Sequence, residues 1–193
     1  MARLRLIAGP NGAGKSTFTS EILIKHVDLG IYINPDEIAI TLEGDDLVRA
    51  KKAQQIAVRQ REQLLIESKS ISYESVMSHP SHLDFLQRAK TYGYRTYFYF
   101  IGVEMPDINK ERVKMREKLG GHAVPEEKVV SRYYKTMAQL FDVCLLVNRA
   151  YLFDNSLDNF YLVAEVHEGE LTIHRNNPVT KLSWYKDYLL HKF

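Results

Sequence analysis

The stretch "GPNGAGKST", Gly9–Thr17, lies directly behind the short run "RLRLIA" and constrains this chain more than any other feature. Gly9, Gly14, Lys15 and Ser16 satisfy the pattern G-x-x-x-x-G-K-[ST], and the following "STFTSEILIKH" reads as a helix. Small residues let successive backbone N–H groups converge on a triphosphate at a helix N-terminus, Lys15 reaches the β and γ phosphates, and the Ser16 hydroxyl can ligate Mg²⁺. The loop Gly9, Pro10, Asn11, Gly12, Ala13, Gly14, Lys15, Ser16 and Thr17 is therefore the expected ATP cradle. A dinucleotide-binding G-x-G-x-x-G would use Gly12 and Gly14, with Asp36 at a fitting interval. It fails at its third glycine, which is Thr17, and gives Lys15 no role.

Behind this loop, short β-rich runs ("GIYIN", "SISYES", "RTYFYFIGV", "AYLFDNS") alternate with longer helical patterns, as in a parallel sheet covered by helices. The segment "DDLVRAKKAQQIAVRQREQLLIESK" places Leu47, Ala50, Ala53, Ala57, Leu64 and Leu65 near one helical face, with Asp45 or Asp46 as N-cap and the charged residues solvated. "SHLDFLQRAKTYGY" reads as a helix capped by Ser81 and ended by Gly93; Pro125 opens another, with Glu126 and Glu127 in its first turn. The tail reads as an antiparallel hairpin closed by "HEGE" and then a short amphipathic end. The expectation is one α/β P-loop domain over residues 1–193, with a lid at about 106–135 and the hairpin and helix at about 158–193.

Composition narrows the function. Lys plus Arg (26) nearly balance Asp plus Glu (24), and no window holds five like charges in a row, so a nucleic-acid partner is not expected unless the fold assembles a local patch. The lone Cys144 sits in the apolar "VCLLV" and reads as core. The longest apolar stretch, "YFYFIGV", is far short of the roughly 20 residues that span a bilayer, and the segment before Gly9 is too short for a secretory signal, so a cytoplasmic protein is expected. His79 and His82 flank Pro80, too few ligands for a zinc site.

The remaining polar points concern what receives the phosphate. Asp36, in "INPDEI", falls beyond the carboxyl end of the second β-run, the edge where open α/β sheets bind ligands, and a carboxylate there can accept the proton of an attacking hydroxyl. Capping the next helix is its other reading. Glu74, in "YESVM", is a charge within an apolar and hydroxyl strand and needs a partner, a metal or a substrate. Arg112, Arg116 and Arg132 surround the Gly120–Gly121 break, where two helices could close over ATP and bring guanidinium groups onto the transferring phosphoryl. His122 in the same segment either touches phosphate or ends the turn.

In order, "GPNGAGKST", "NPDEI", "YESV", "REKLGGHAVPEEKVVSRYY" and "YLFDNS" resemble the zeta toxin family of P-loop kinases. The resemblance implies a nucleoside-kinase-like fold that binds ATP and Mg²⁺, with Asp36 as base, Glu74 holding the substrate, and Arg116, Arg132 and Arg112 on phosphate. It also implies a turn at Asp154, Asn155 and Ser156 beside the adenine. Many related kinases carry acid-x-Asp at the second strand, where this chain has Asn34 in place of the first acid. The characterised toxins are larger and phosphorylate UDP-N-acetylglucosamine, and their sugar-binding segments are not matched here. The expected activity is transfer of the γ-phosphate of ATP to a hydroxyl of a metabolite or nucleotide-sugar. The alternatives are an ATP-binding toxin or interaction module governed by an antitoxin protein, and a nucleic-acid 5′-hydroxyl kinase.

Overall fold

The computed structural model describes residues 1–121, 123–174 and 183–193. In chain order its elements are β1 (Arg3–Ala8), α1 (Lys15–Glu21), β2 (Ile31–Ile33), α2 (Pro35–Ile40), α3 (Asp46–Ile66), β3 (Ile71–Ser75), α4 (Ser81–Thr91), β4 (Arg95–Gly102), α5 (Pro106–Lys118), α6 (Glu126–Leu146), β5 (Arg149–Asp154), β6 (Tyr161–His167), β7 (Glu170–Ile173) and α7 (Ser183–Tyr188). The strands form one sheet in the order β2-β3-β1-β4-β5-β6-β7, parallel from β2 to β5 and antiparallel beyond.

Strand β1 is apolar on both faces because it lies mid-sheet; Leu4, Leu6, Ile7 and Ala8 are fully buried. The chain visits β2 and β3 on one side of β1 and only then crosses to β4, so a crevice opens at the carboxyl ends of β1 and β3. That crevice receives the glycine loop. In α6, Val129, Tyr133, Met137, Leu140 and Cys144 recur at helical spacing and are buried, which fixes the helix against the sheet. The β6–β7 hairpin turns through Glu168 and Gly169, both at positive φ (48° and 84°), the conformation that a two-residue turn between twisted strands demands.

One open choice is resolved and two local expectations shift. Asp45, not Asp46, caps α3, its Oδ1 accepting from Val48 N at 2.9 Å. The buried face of α3 is Ala53, Ala57, Arg61 and Leu65, whereas Leu47 is 71% exposed. Arg61 goes inward because its guanidinium sits over the Tyr73 and Phe85 rings, its Cζ 4.6 and 4.9 Å from their centroids. Ser81 is the first residue of α4 rather than its cap; Pro80 takes that place and makes no side-chain cap hydrogen bond. Gly93 (φ 78°) follows the helix end as expected. No described helix is long and apolar enough to cross a membrane. Residues 175–182, which include the last residue of the expected hairpin run and the first four of the expected amphipathic end, and His122 lie outside the described residues.

Candidate functional site

The glycine loop leaves β1 and turns into α1 with Gly14 at φ 91° as N-cap. Close packing reinforces the demand for glycine. A Cβ on Gly14 would sit 2.6 Å from Asn155 Nδ2, and one on Gly9 would sit 2.2 Å from Ile101 O. Two asparagines hold the loop from outside: Asn155 Nδ2 donates to Ala13 O at 2.9 Å, and Asn109 Nδ2, on α5, donates to Asn11 O at 2.5 Å. Asn155 thus reaches the loop itself from the end of β5. The turn that carries it is pinned by buried Asp154, which accepts from Ser156 N, Ser156 Oγ and Trp184 Nε1 at 2.9, 2.8 and 2.8 Å. Burial raises the Asp154 carboxyl above its ordinary range, and these donors pull it back down.

Lys15 is half-buried and its Nζ donates to Gly9 O and Pro10 O at 3.0 and 3.1 Å. Burial lowers its pKa, the Glu74 and Asp36 carboxylates oppose that shift, and Arg116 and Arg132 add to it. Five of the six charges the sequence singled out, all but Arg112, therefore share one electrostatic neighbourhood.

Glu74 is 5% exposed and has hydroxyl partners in place of an ion pair. Its Oε2 accepts from Ser16 Oγ at 2.9 Å, and its Oε1 accepts from Thr19 Oγ1 at 2.8 Å and Tyr32 OH at 2.6 Å. The pairing follows from register: β3 runs parallel beside β1 with Glu74 opposite Ile7, which aims the carboxylate at the first turn of α1. A hydroxyl and a carboxylate side by side form the all-oxygen donor set that a hard divalent cation prefers, so Ser16 and Glu74 fit Mg²⁺. The described residues hold no group of three or more His, Cys, Asp or Glu side chains placed for a metal. A magnesium ion bound with phosphates and water does not need one.

Asp36 lies in the first turn of α2, and it is Asn34 that caps the helix, its Oδ1 accepting from Asp36 N at 3.0 Å. Asn34 Nδ2 turns to Tyr32 OH at 3.3 Å and Glu37 Oε1 at 3.4 Å. The Asp36 carboxylate is left exposed to the crevice, facing Arg116 Nη1 at 3.9 Å. Arg132, on α6, donates to Asn11 Oδ1 at 3.4 Å, beside the loop. Arg112 is one turn before Arg116 yet points elsewhere, donating to Asn155 O at 2.8 Å and Leu157 O at 3.2 Å. The structure thus gathers Lys15, Ser16, Asp36, Glu74, Arg116 and Arg132 around the crevice and assigns Arg112 to the turn after β5.

The α5–α6 segment is anchored as well as draped. Tyr133 OH donates to Val103 O and Glu104 O at 3.0 and 3.1 Å, and Thr136 Oγ1 donates to Val76 O at 2.7 Å. Beyond Val113 the helix end is largely open to solvent, with Met115 67% and, just past the helix, Leu119 83% exposed. Sequence reasoning missed Thr19, Tyr32 and Asn109. For Thr19 a signal existed, since it stands three residues after Ser16 and shares its helical face. Asn109 carried none, because its partner lies 98 residues away.

No family model matches the chain. An uncharacterised Haemophilus influenzae protein is 30% identical over 134 residues, 65% of this chain and 88% of the relative. Among solved structures, a chain of the AvrRxo1-ORF1:AvrRxo1-ORF2 complex solved with sulphate ions superposes with a TM-score of 0.73 at 16% identity, over 97% of this chain. The match covers 63% of that longer chain. The same complex has been solved with ATP, with a TM-score of 0.69 at 17% identity, covering 90% of this chain and 61% of that one. The PezAT chromosomal toxin–antitoxin system of Streptococcus pneumoniae matches at 0.62 and 14% identity, over 100% of this chain and 80% of that one. By sequence the chain therefore belongs to one family with the Haemophilus influenzae protein, and it shares the fold of the solved AvrRxo1-ORF1:AvrRxo1-ORF2 and PezAT chains.

Proposed function

We propose that this chain is an ATP-dependent kinase that transfers the γ-phosphate to a hydroxyl of a small metabolite or nucleotide-sugar. The observation that supports the reading is the approach of Arg116 to Asp36 at 3.9 Å near the glycine loop, a carboxylate and a cation of the kind an acceptor hydroxyl and a γ-phosphate require. Asp36 takes the proton of that hydroxyl as its oxygen attacks phosphorus, the bond to the β–γ bridging oxygen breaks, and ADP leaves. Lys15 exchanges the Gly9 and Pro10 carbonyls for phosphate oxygens, and Arg116 and Arg132 stabilise charge on the phosphoryl in flight. Mg²⁺, held by Ser16 with Glu74 behind it, would neutralise the β and γ oxygens. Asn155 packs against the nucleotide loop, and Arg112 acts through the turn it holds. All of this lies within one kinase domain, with α5 and α6 as its lid.

A second reading adds control by an antitoxin protein. It is favoured by the solved neighbour, which is a toxin–antitoxin system. Transfer of labelled γ-phosphate to a panel of sugars, nucleotide-sugars, amino acids and short RNAs tests the first reading. Product lost in both Asp36→Asn and Lys15→Ala establishes the kinase. ATP binding with no labelled acceptor, unchanged by Asp36→Asn, sinks it in favour of a binding module.

A further inference from the structure

At the amino ends of the central strands, opposite the glycine loop, the sheet assembles arginines that are scattered along the sequence. Parallel register sets Arg3 beside Arg95, and Arg5 beside Tyr97 beside Arg149; the next row is Ile7, Tyr99 and Tyr151. All lie on the face that also carries Glu74, opposite the face where Tyr73 meets Phe85 of α4 and Phe100 meets Trp184 of α7. Helix α1 covers this face only near the loop, through Phe18 against Tyr99 and Phe153. Arg3 and Arg95 are exposed, and Tyr97, Arg149 and Tyr151 are half-buried.

The rings hold the guanidinium groups in place. Arg5 and Arg95 lie 5.7 and 5.9 Å from the Tyr97 centroid, and Arg149 lies 6.0 Å from that of Tyr151, which itself stacks on Tyr99 at 5.1 Å. Among the described residues none of these four arginines makes an ion pair. The nearest row carrying an acid has Glu165 beside Tyr151, and Glu165 is engaged by His174 Nε2 at 3.0 Å. Arg5 is 3% exposed, and its Nη1 and the Nε of Arg149 are buried without a hydrogen-bond partner.

Like charges on adjacent strands repel, and a desolvated guanidinium with an unused donor is costly. Asp28 and Glu165 attract Arg5 and Arg149 without forming an ion pair, and an anion at the exposed Arg3 and Arg95 would relieve the remaining repulsion. We propose that this face binds single-stranded nucleic acid, Arg3, Arg95 and Arg149 taking backbone phosphates, with Arg5 buried behind them, and Tyr97 and Tyr151 meeting the bases. Arginine and aromatic side chains interleaved at the strand spacing of about 4.8 Å suit a polyanion whose repeating unit also carries a flat ring, whereas an acidic peptide would leave the tyrosines unused. The surface is separate from the crevice. Strand β4 spans eight residues from Arg95 to Gly102, roughly 23 Å.

The test is fluorescence anisotropy with a labelled single-stranded RNA of about 12 nucleotides, titrated from about 50 to 300 mM NaCl, with and without saturating Mg·ATP. The wild type should bind, and ATP should change nothing. In Arg3→Gln/Arg95→Gln the slope of log affinity against log salt should fall by about 1.4, roughly 0.7 for each lost phosphate contact. Tyr97→Ala should weaken binding about tenfold and keep the slope. If the double variant does not fold, Arg149→Gln should lower the slope by about 0.7. No binding at the lowest salt, an unchanged slope in the folded variants, competition by ATP, or competition by a glutamate oligomer as strong as by unlabelled RNA would each overturn the proposal. Either result leaves Asp36-dependent phosphate transfer free to stand or fall separately.

Discussion

Arg116 Nη1, in the last turn of α5, faces Asp36 Oδ2, in the first turn of α2, across 3.9 Å of the crevice. The side chains are 41% and 73% exposed, so the pair does little for stability, and under the proposed kinase reading its geometry serves the chemistry. Arg116→Ala should leave stability within about 0.5 kcal/mol of the wild type. It should lower the transfer rate about 10²- to 10³-fold. Asp36→Asn should lower it about 10²- to 10⁴-fold with ATP affinity retained. Single-turnover transfer alongside ATP titration checks both; a rate unaffected by Asp36→Asn removes the base.

Glu74 accepts from three hydroxyls, and their worth becomes visible when it is removed. Glu74→Ala leaves the Tyr32 hydroxyl without its acceptor in a part-buried site, at a cost of about 1–3 kcal/mol, while Thr19 Oγ1 keeps Lys15 O and Ser16 reaches solvent. Glu74→Gln keeps the shape and an acceptor and should lose less. Urea denaturation ranks them. Equal stability of the alanine variant and the wild type would mean that water replaces the carboxylate freely.

A methyl group at Gly9 meets the backbone carbonyl oxygen of Ile101 at 2.2 Å, and no flexible side chain is there to give way. Gly9→Ala should push β1 from β4 or deform the loop, destabilising the fold by about 1–3 kcal/mol. ATP affinity should fall with it. Thermal denaturation with and without ATP reads both effects, and wild-type values in both would show that the loop yields without cost.

Burial, with Arg61 and His79 adding to it, pushes His82 down from its ordinary 6.5 to about 4. Its Nε2 pairs with Ser75 Oγ at 2.9 Å and its ring stacks on Tyr73, so the fold holds the neutral imidazole. A depressed histidine pKa means that the unfolded chain binds the extra proton first. The stability it contributes is complete above about pH 6.5 and is lost as pH falls toward about 4. His82→Gln should flatten that part of the stability–pH curve in denaturant titrations. The same slope in the variant would assign the acid sensitivity to other groups.

Elements whose reasons are local were readable in advance. The glycine loop needs a particular run of small residues, a lysine and a hydroxyl. The "HEGE" turn needs positive φ. The alternation of β-rich runs with helical patterns already implied a parallel sheet. Even so, Arg61 was misread as solvated, because the two rings that receive it come from β3 and α4. Arg112 and Arg116 share a helical face in the sequence, yet only the fold sends one to the turn after β5 and the other to Asp36.

What the sequence determined alone is a glycine loop of the kind that suits a triphosphate and the α/β sheet that carries it, since both follow from residue type and short-range spacing. What the tertiary structure decided is the company each charge keeps. Glu74 found three hydroxyls, and Arg3, Arg5, Arg95 and Arg149 found one another across strands up to 146 positions apart in the chain. Register between parallel strands sets those distances, and it is settled by packing of the whole sheet rather than by any local run of residues.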